Sequence, residues 1–126
     1  VLGAHGIIIP KKKSAEINEI SIKTSSGALT KLPICRTESL EKTLIFAKNS
    51  GLKICSLSEH AKKSIYKTSL KEPCILVLGS EKEGVSNKLI KISDELIKIP
   101  TNGDIISLNV SVAAGIILSE VQRQRF

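Results

Sequence analysis

The chain has 126 residues, 41% of them apolar and 25% charged, which is enough for one folded core and excludes a disordered segment. Nineteen Lys+Arg against 12 Asp+Glu leave a formal charge of +7, which favours a polyanionic partner, because phosphate contacts release counterions. No apolar run reaches membrane-spanning length and no signal-peptide pattern opens the chain, so no membrane partner and a cytoplasmic or organelle-matrix protein are expected.

Residues 6–10 form an apolar run that predicts a strand. Lys11, Lys12 and Lys13 follow, a run that suits phosphate contacts or a solvated face. Ser14 caps an expected helix over 15–24, and 32–36 reads as a second strand. Leu40, Leu44 and Ala47 mark one face of a helix over 39–49, ended by Gly51 ahead of a strand over 52–56. The stretch 58–71 is polar and shows neither period. Strand 74–78, a short helix from Ser86, strand 95–99 and a long helix over 108–124 complete the chain. This alternation implies an α/β fold, a mainly parallel sheet with helices on both faces, in a single domain.

Cys35, Cys55 and Cys74 lie in apolar segments without C-x-x-C spacing, and only two histidines could join them; buried free thiols and no metal site are expected. His5 reads as structural and His60 as exposed. Two Phe and one Tyr leave little room for an aromatic base-stacking platform.

Two segments carry the chemistry. Leu78-Gly79-Ser80-Glu81-Lys82-Glu83-Gly84-Val85-Ser86 and Ile99-Pro100-Thr101-Asn102-Gly103-Asp104 up to Ser107-Leu108-Asn109 both run from an apolar strand through a polar glycine-bearing loop to a helix. In a parallel sheet, loops at the carboxyl ends of strands bind ligands. Gly79 and Gly84 have the spacing of a phosphate-binding loop, but Val85-Ser86 stands where Lys and Ser/Thr are required, and Glu81 and Glu83 would repel a triphosphate. The loop better suits a ligand with positive charge or hydroxyl groups. No G-x-G-x-x-G follows the first strand, which disfavours a dehydrogenase-type nucleotide site.

Leu-Gly-Ser-Glu with Glu-Gly-Val-Ser, then Ile-Pro, then Ser107 to Gly115 and the final Arg123-Gln124-Arg125, resemble the last two motifs of the SpoU/TrmH family of RNA ribose 2′-O-methyltransferases. Ala4-His5-Gly6-Ile7-Ile8-Ile9-Pro10, Ser25-Ser26-Gly27-Ala28 and Leu32-Pro33-Ile34 are similar to the middle of that family's catalytic domain, so the likeness covers residues 1–126. It implies a SPOUT-type sheet with a C-terminal trefoil knot, S-adenosyl-L-methionine as cofactor, rRNA or tRNA as substrate, and a homodimer. The last helix offers Val112, Ile116, Ile117 and Val121 as the dimer's apolar face.

By the same resemblance, the main chain at Gly79, Ile99 and Leu108 holds the cofactor, Gly84 and Pro100 shape its pocket, and Glu81, Ser107 and Asn109 stand at the reaction centre. Ser107 or Asn109 could equally cap the last helix. Arg123 and Arg125 read as complements to that helix's dipole. The family's first motif, an Asn/Gly segment with a catalytic arginine, is not among these residues, since Arg36, Arg123 and Arg125 stand in other contexts. The 126 residues are therefore read as an N-terminally incomplete catalytic domain with little activity alone. The alternative is a non-catalytic RNA-binding or assembly module that keeps the fold.

Overall fold

In the computed structural model, residues 2–10, 33–79, 84–102 and 108–126 are described. The elements are β1 (Ile7–Pro10), β2 (Ile34–Thr37), α1 (Leu40–Asn49), β3 (Lys53–Leu57), β4 (Lys63–Ser64), a 3-10 turn (Ile65–Lys67), β5 (Cys74–Val77), α2 (Asn87–Ile92), β6 (Glu95–Lys98) and α3 (Val110–Arg125). Lys11–Lys13, the helix over 15–24 and the connections 80–83 and 103–107 lie outside the described residues.

Among the described residues the four strand pairs are all parallel. β1 pairs with β2, and a four-stranded sheet runs β4-β6-β3-β5. Successive residues of β3 point to opposite faces, so Ile54 and Cys55, both fully buried, seed two separate cores. On one face Ile54 packs with Leu44 and Ala47 of α1, joined by Ile75, Val77, Leu89 and Ile92. On the other, Cys55 packs with Ile65, Leu70, Ile97, Ile117 and Val121. Helices thus cover both faces of the sheet, α1 and α2 on one side and α3 on the other.

Local chemistry fixes the helix ends. Ser39 caps α1 by accepting from the Lys42 N–H at 3.1 Å, and Thr43 Oγ1 returns a bond to the Ser39 carbonyl at 3.0 Å. Gly51 leaves α1 at φ +98, a left-handed conformation that favours glycine. At the start of β6, the Asp94 carboxylate accepts from the Ile54 N–H at 2.8 Å and pairs with Lys48 at 3.4 Å. The Ile54 amide, ahead of Lys48, holds the Asp94 carboxyl below its usual range. Ser56, fully buried, bonds Ser93 Oγ, which donates onward to the Leu89 carbonyl at 2.7 Å.

Three expectations need correction. The polar stretch 58–71 contributes β4 and the 3-10 turn and buries Ala61, Ile65, Thr68 and Leu70, because its few apolar residues are spaced too irregularly to show a period. Cys35 is exposed, since β2 belongs to a two-stranded sheet and turns Cys35 and Arg36 outward. His5 is exposed rather than packed, while His60 is exposed as expected.

Candidate cofactor site at the carboxyl end of the sheet

β5 and β6 flank β3, so the loops that follow them leave the same end of the sheet about 10 Å apart, two strand spacings. The chain passes from β5 on one side of β3 to β6 on the other, and in parallel sheets ligands bind beyond the carboxyl ends of the strands. Half-buried Leu78 and Ile99 line the strand ends, and half-buried Leu108 precedes α3.

Gly79 and Gly84 are brought together. A Cβ at position 79 would overlap the main chain of Gly84 and Val85, so glycine there admits the loop's own backbone. Gly84 turns the chain back at φ +68, with open space where its side chain would be. The loop therefore has a closed neck. Ser86 then caps α2 by accepting from the Leu89 N–H at 3.4 Å.

At the second loop, Ile99 packs against the α3-side core and Pro100 is exposed. Asn109 caps α3: its Oδ1 accepts from the Ser111 N–H at 2.8 Å, and its carbonyl accepts from the Ala113 N–H at 2.9 Å. Glu81 and Ser107, the other two side chains expected at the reaction centre, lie outside the described residues. Gly79, Gly84, Ile99, Pro100, Leu108 and Asn109 contribute main chain, apolar surface and one amide, and no titratable group.

A polar cluster that the sequence did not announce locks the far end of α3. Gln124 accepts from the Leu70 N–H at 2.6 Å and donates Nε2–H to the Thr68 carbonyl at 2.8 Å and to Glu120 at 2.9 Å. Glu120, 4% exposed, receives Arg123 in a fork with contacts of 2.7 and 2.8 Å. Arg123 and then Gln124 hold its carboxyl down to about 2. Arg125 donates to the Leu70 and Glu72 carbonyls at 3.0 and 2.8 Å. The two arginines are thus committed to specific partners, beyond complementing a dipole.

An open groove of about 510 Å³ runs along α3 between Tyr66, Val112, Gly115 and Ile116. The expected dimer face divides here. Ile117 and Val121 belong to the monomer core, whereas Val112 is 50% exposed and Ile116 half-buried. Among the described residues no group of His, Cys, Asp and Glu is arranged to hold a metal, and no helix is long and apolar enough to cross a membrane.

Residues 1–119 match the profile of the SpoU rRNA Methylase family. Among curated relatives, a 23S rRNA (guanosine-2′-O-)-methyltransferase RlmB of Yersinia pestis is 38% identical over 123 residues, which are 98% of this chain and 50% of the relative. An uncharacterised tRNA/rRNA methyltransferase of Mycobacterium avium is 36% identical over 123 residues, 98% of this chain and 40% of its own length. This chain thus spans half or less of the length of these relatives. Among solved structures, the SpoU methyltransferase AviRb of Streptomyces viridochromogenes in complex with AdoMet superposes with TM-score 0.89 at 30% identity, over 98% of this chain and 51% of that one. The A. aeolicus TrmH/SpoU tRNA modifying enzyme gives TM-score 0.83 at 34% identity, over 95% and 61%. With its parallel sheet, its paired glycine loop and this match over nearly its whole length, the chain belongs to the SpoU rRNA methylase family.

Proposed function

We propose that this chain is the S-adenosylmethionine-binding part of an enzyme that methylates ribose 2′-hydroxyls of rRNA or tRNA in the cytoplasm or an organelle matrix. The observation that carries the reading is that the Gly79–Gly84 neck and the Ile99–Pro100 strand exit flank the central strand at one end of the sheet. The residues present fit the cofactor: strand-end main chain offers donors and acceptors to ribose and ammonium groups, and Leu78, Ile99 and Leu108 offer an apolar wall for a purine. When bound, the cofactor supplies an electrophilic methyl group beside a leaving thioether. The main chain at Gly79, Ile99 and Leu108 holds it, and Gly84 and Pro100 shape the loops around it. Glu81, Ser107 and Asn109 orient the ribose, so the chain's contribution is alignment. Asn109 spends its Oδ1 on the helix cap, which leaves its amide N–H groups to donate.

The α3 groove, with Tyr66 at 54% and Val112 at 50% exposure, supports a homodimer in which a second copy covers Val112 and Ile116. Sedimentation equilibrium is expected to show a dimer at micromolar concentration; a monomer refutes that part. For the cofactor, calorimetry with S-adenosylmethionine and a ligand-induced rise in Tm are the test. A folded protein with neither heat nor shift at saturating ligand refutes the reading.

A further inference from the structure

We infer that Arg36, Lys42, Lys88 and Lys98 are the residues that hold the phosphate backbone of the substrate RNA beside the candidate site, an inference that rests on the methyltransferase reading above. Several of the described cations are committed to protein partners: Lys48 to Asp94, Lys53 to Glu72 and Glu95, Lys63 to Glu95, Arg123 to Glu120, and Arg125 to the Leu70 and Glu72 carbonyls. At the carboxyl end, where the candidate site lies, none of the four cations bonds or pairs through its side chain with any described residue.

The local folding explains why these four share one end. β2 runs directly into α1 through Thr37, whose Oγ1 bonds the Ser39 N–H at 3.2 Å and Thr43 Oγ1 at 2.8 Å, so Arg36 and Lys42 sit on one corner. Lys88 lies in the first turn of α2, which packs beside α1, and Lys98 is the last residue of β6. Arg36, Lys42 and Lys88 are exposed and Lys98 is half-buried. Lys42, third residue of the ten in α1, carries its charge where the helix dipole disfavours a cation, and a bound anion would reverse that penalty. Glu38 and Glu41 share the corner, so contact depends on individual long side chains rather than a uniform field.

The chemistry selects the partner. A ribose 2′-hydroxyl in RNA has a phosphate on either side, so a site that places this hydroxyl at the Gly79 and Asn109 loops must receive anions within one or two nucleotides of it.

The test compares two triple variants of the full chain that remove the same charge. One is Arg36→Gln/Lys42→Gln/Lys88→Gln. The other is Lys48→Gln/Lys71→Gln/Lys91→Gln, three exposed cations at the amino end. Binding to bulk rRNA and tRNA is measured against salt concentration, alongside S-adenosylmethionine affinity. The carboxyl-end triple is expected to weaken RNA binding tenfold or more at about 0.1 M salt and to lower the salt slope by about 2–3, with cofactor affinity unchanged. The other triple is expected to change affinity less than about threefold. Should the first triple misfold, the single variants Arg36→Gln and Lys88→Gln carry the test, each lowering the slope by about one. Equal weakening by both triples, an unchanged slope in the first, or a wild-type chain that binds cofactor but no RNA would overturn the proposal. Failure of the wild type to bind cofactor would instead overturn the methyltransferase reading.

Discussion

Gln124→Ala is expected to be among the most damaging single truncations outside the two cores. The amide is the only described partner of the Leu70 N–H, at 2.6 Å, and caps the Thr68 carbonyl, at 2.8 Å. Leu70 is fully buried and Thr68 3% exposed, so water does not replace the lost partner freely. Two orphaned main-chain groups, each costing roughly 1–3 kcal/mol, predict a loss of about 3–5 kcal/mol, a large share of the roughly 5–15 kcal/mol that holds a domain together. Gln124→Glu separates the contributions. It keeps an acceptor for Leu70 but loses the donor to Thr68 and sets a second carboxylate beside Glu120, so it should destabilise as well. Urea unfolding is the assay, with a fall in midpoint at constant slope. A loss below about 1 kcal/mol for Gln124→Ala would refute the claim that this amide fixes the segment before β5 to α3.

Glu120 gives a pH prediction: its folded carboxyl titrates at about 2 against an ordinary 4.5, so its contribution is complete above 4.5 and is lost as pH falls toward 2. Glu120→Gln should flatten the stability profile in that window, and an unchanged profile would contradict the Arg123–Gln124 pairing. Burial and then the neighbouring Cys74 push the Cys55 thiol up to about 12, so thiol reagents at pH 8 should label exposed Cys35 at once and Cys55 only on unfolding. Rapid labelling of Cys55 in the native protein would show that the α3-side core is open. Gly79→Ala must open the neck at Gly84–Val85, and is expected to cost about 1–3 kcal/mol and to abolish the cofactor-induced rise in Tm. A variant neutral in both would remove the neck from the account.

Most of the sheet was legible because its strands are apolar runs bounded by punctuation. Ile7–Pro10, Cys74–Val77 and Glu95–Lys98 fall within a residue of the expected bounds, and the helices expected from Ser39 and Ser86 begin within a residue of those positions. β4 escaped because two residues cannot show a period, and the core residues Ile65 and Leu70 beside it are separated by polar neighbours. The close approach of Gly79 to the main chain of Gly84 and Val85 was not legible, because a glycine in the sequence does not show what its missing Cβ would meet. The Gln124 clamp was invisible because its partners are main-chain groups more than 50 residues away. Asn109 was legible as both cap and site residue, and the structure establishes the cap.

The most direct measurement of the central claim is methyl transfer from tritiated S-adenosylmethionine to bulk rRNA and tRNA by the full-length protein, followed by nuclease digestion to locate the label. The account predicts label on ribose 2′-oxygen, with Asn109→Ser retaining stability through its cap while lowering turnover through loss of the amide donor. Label on a base, or no transfer by a folded protein that binds both cofactor and RNA, would contradict it.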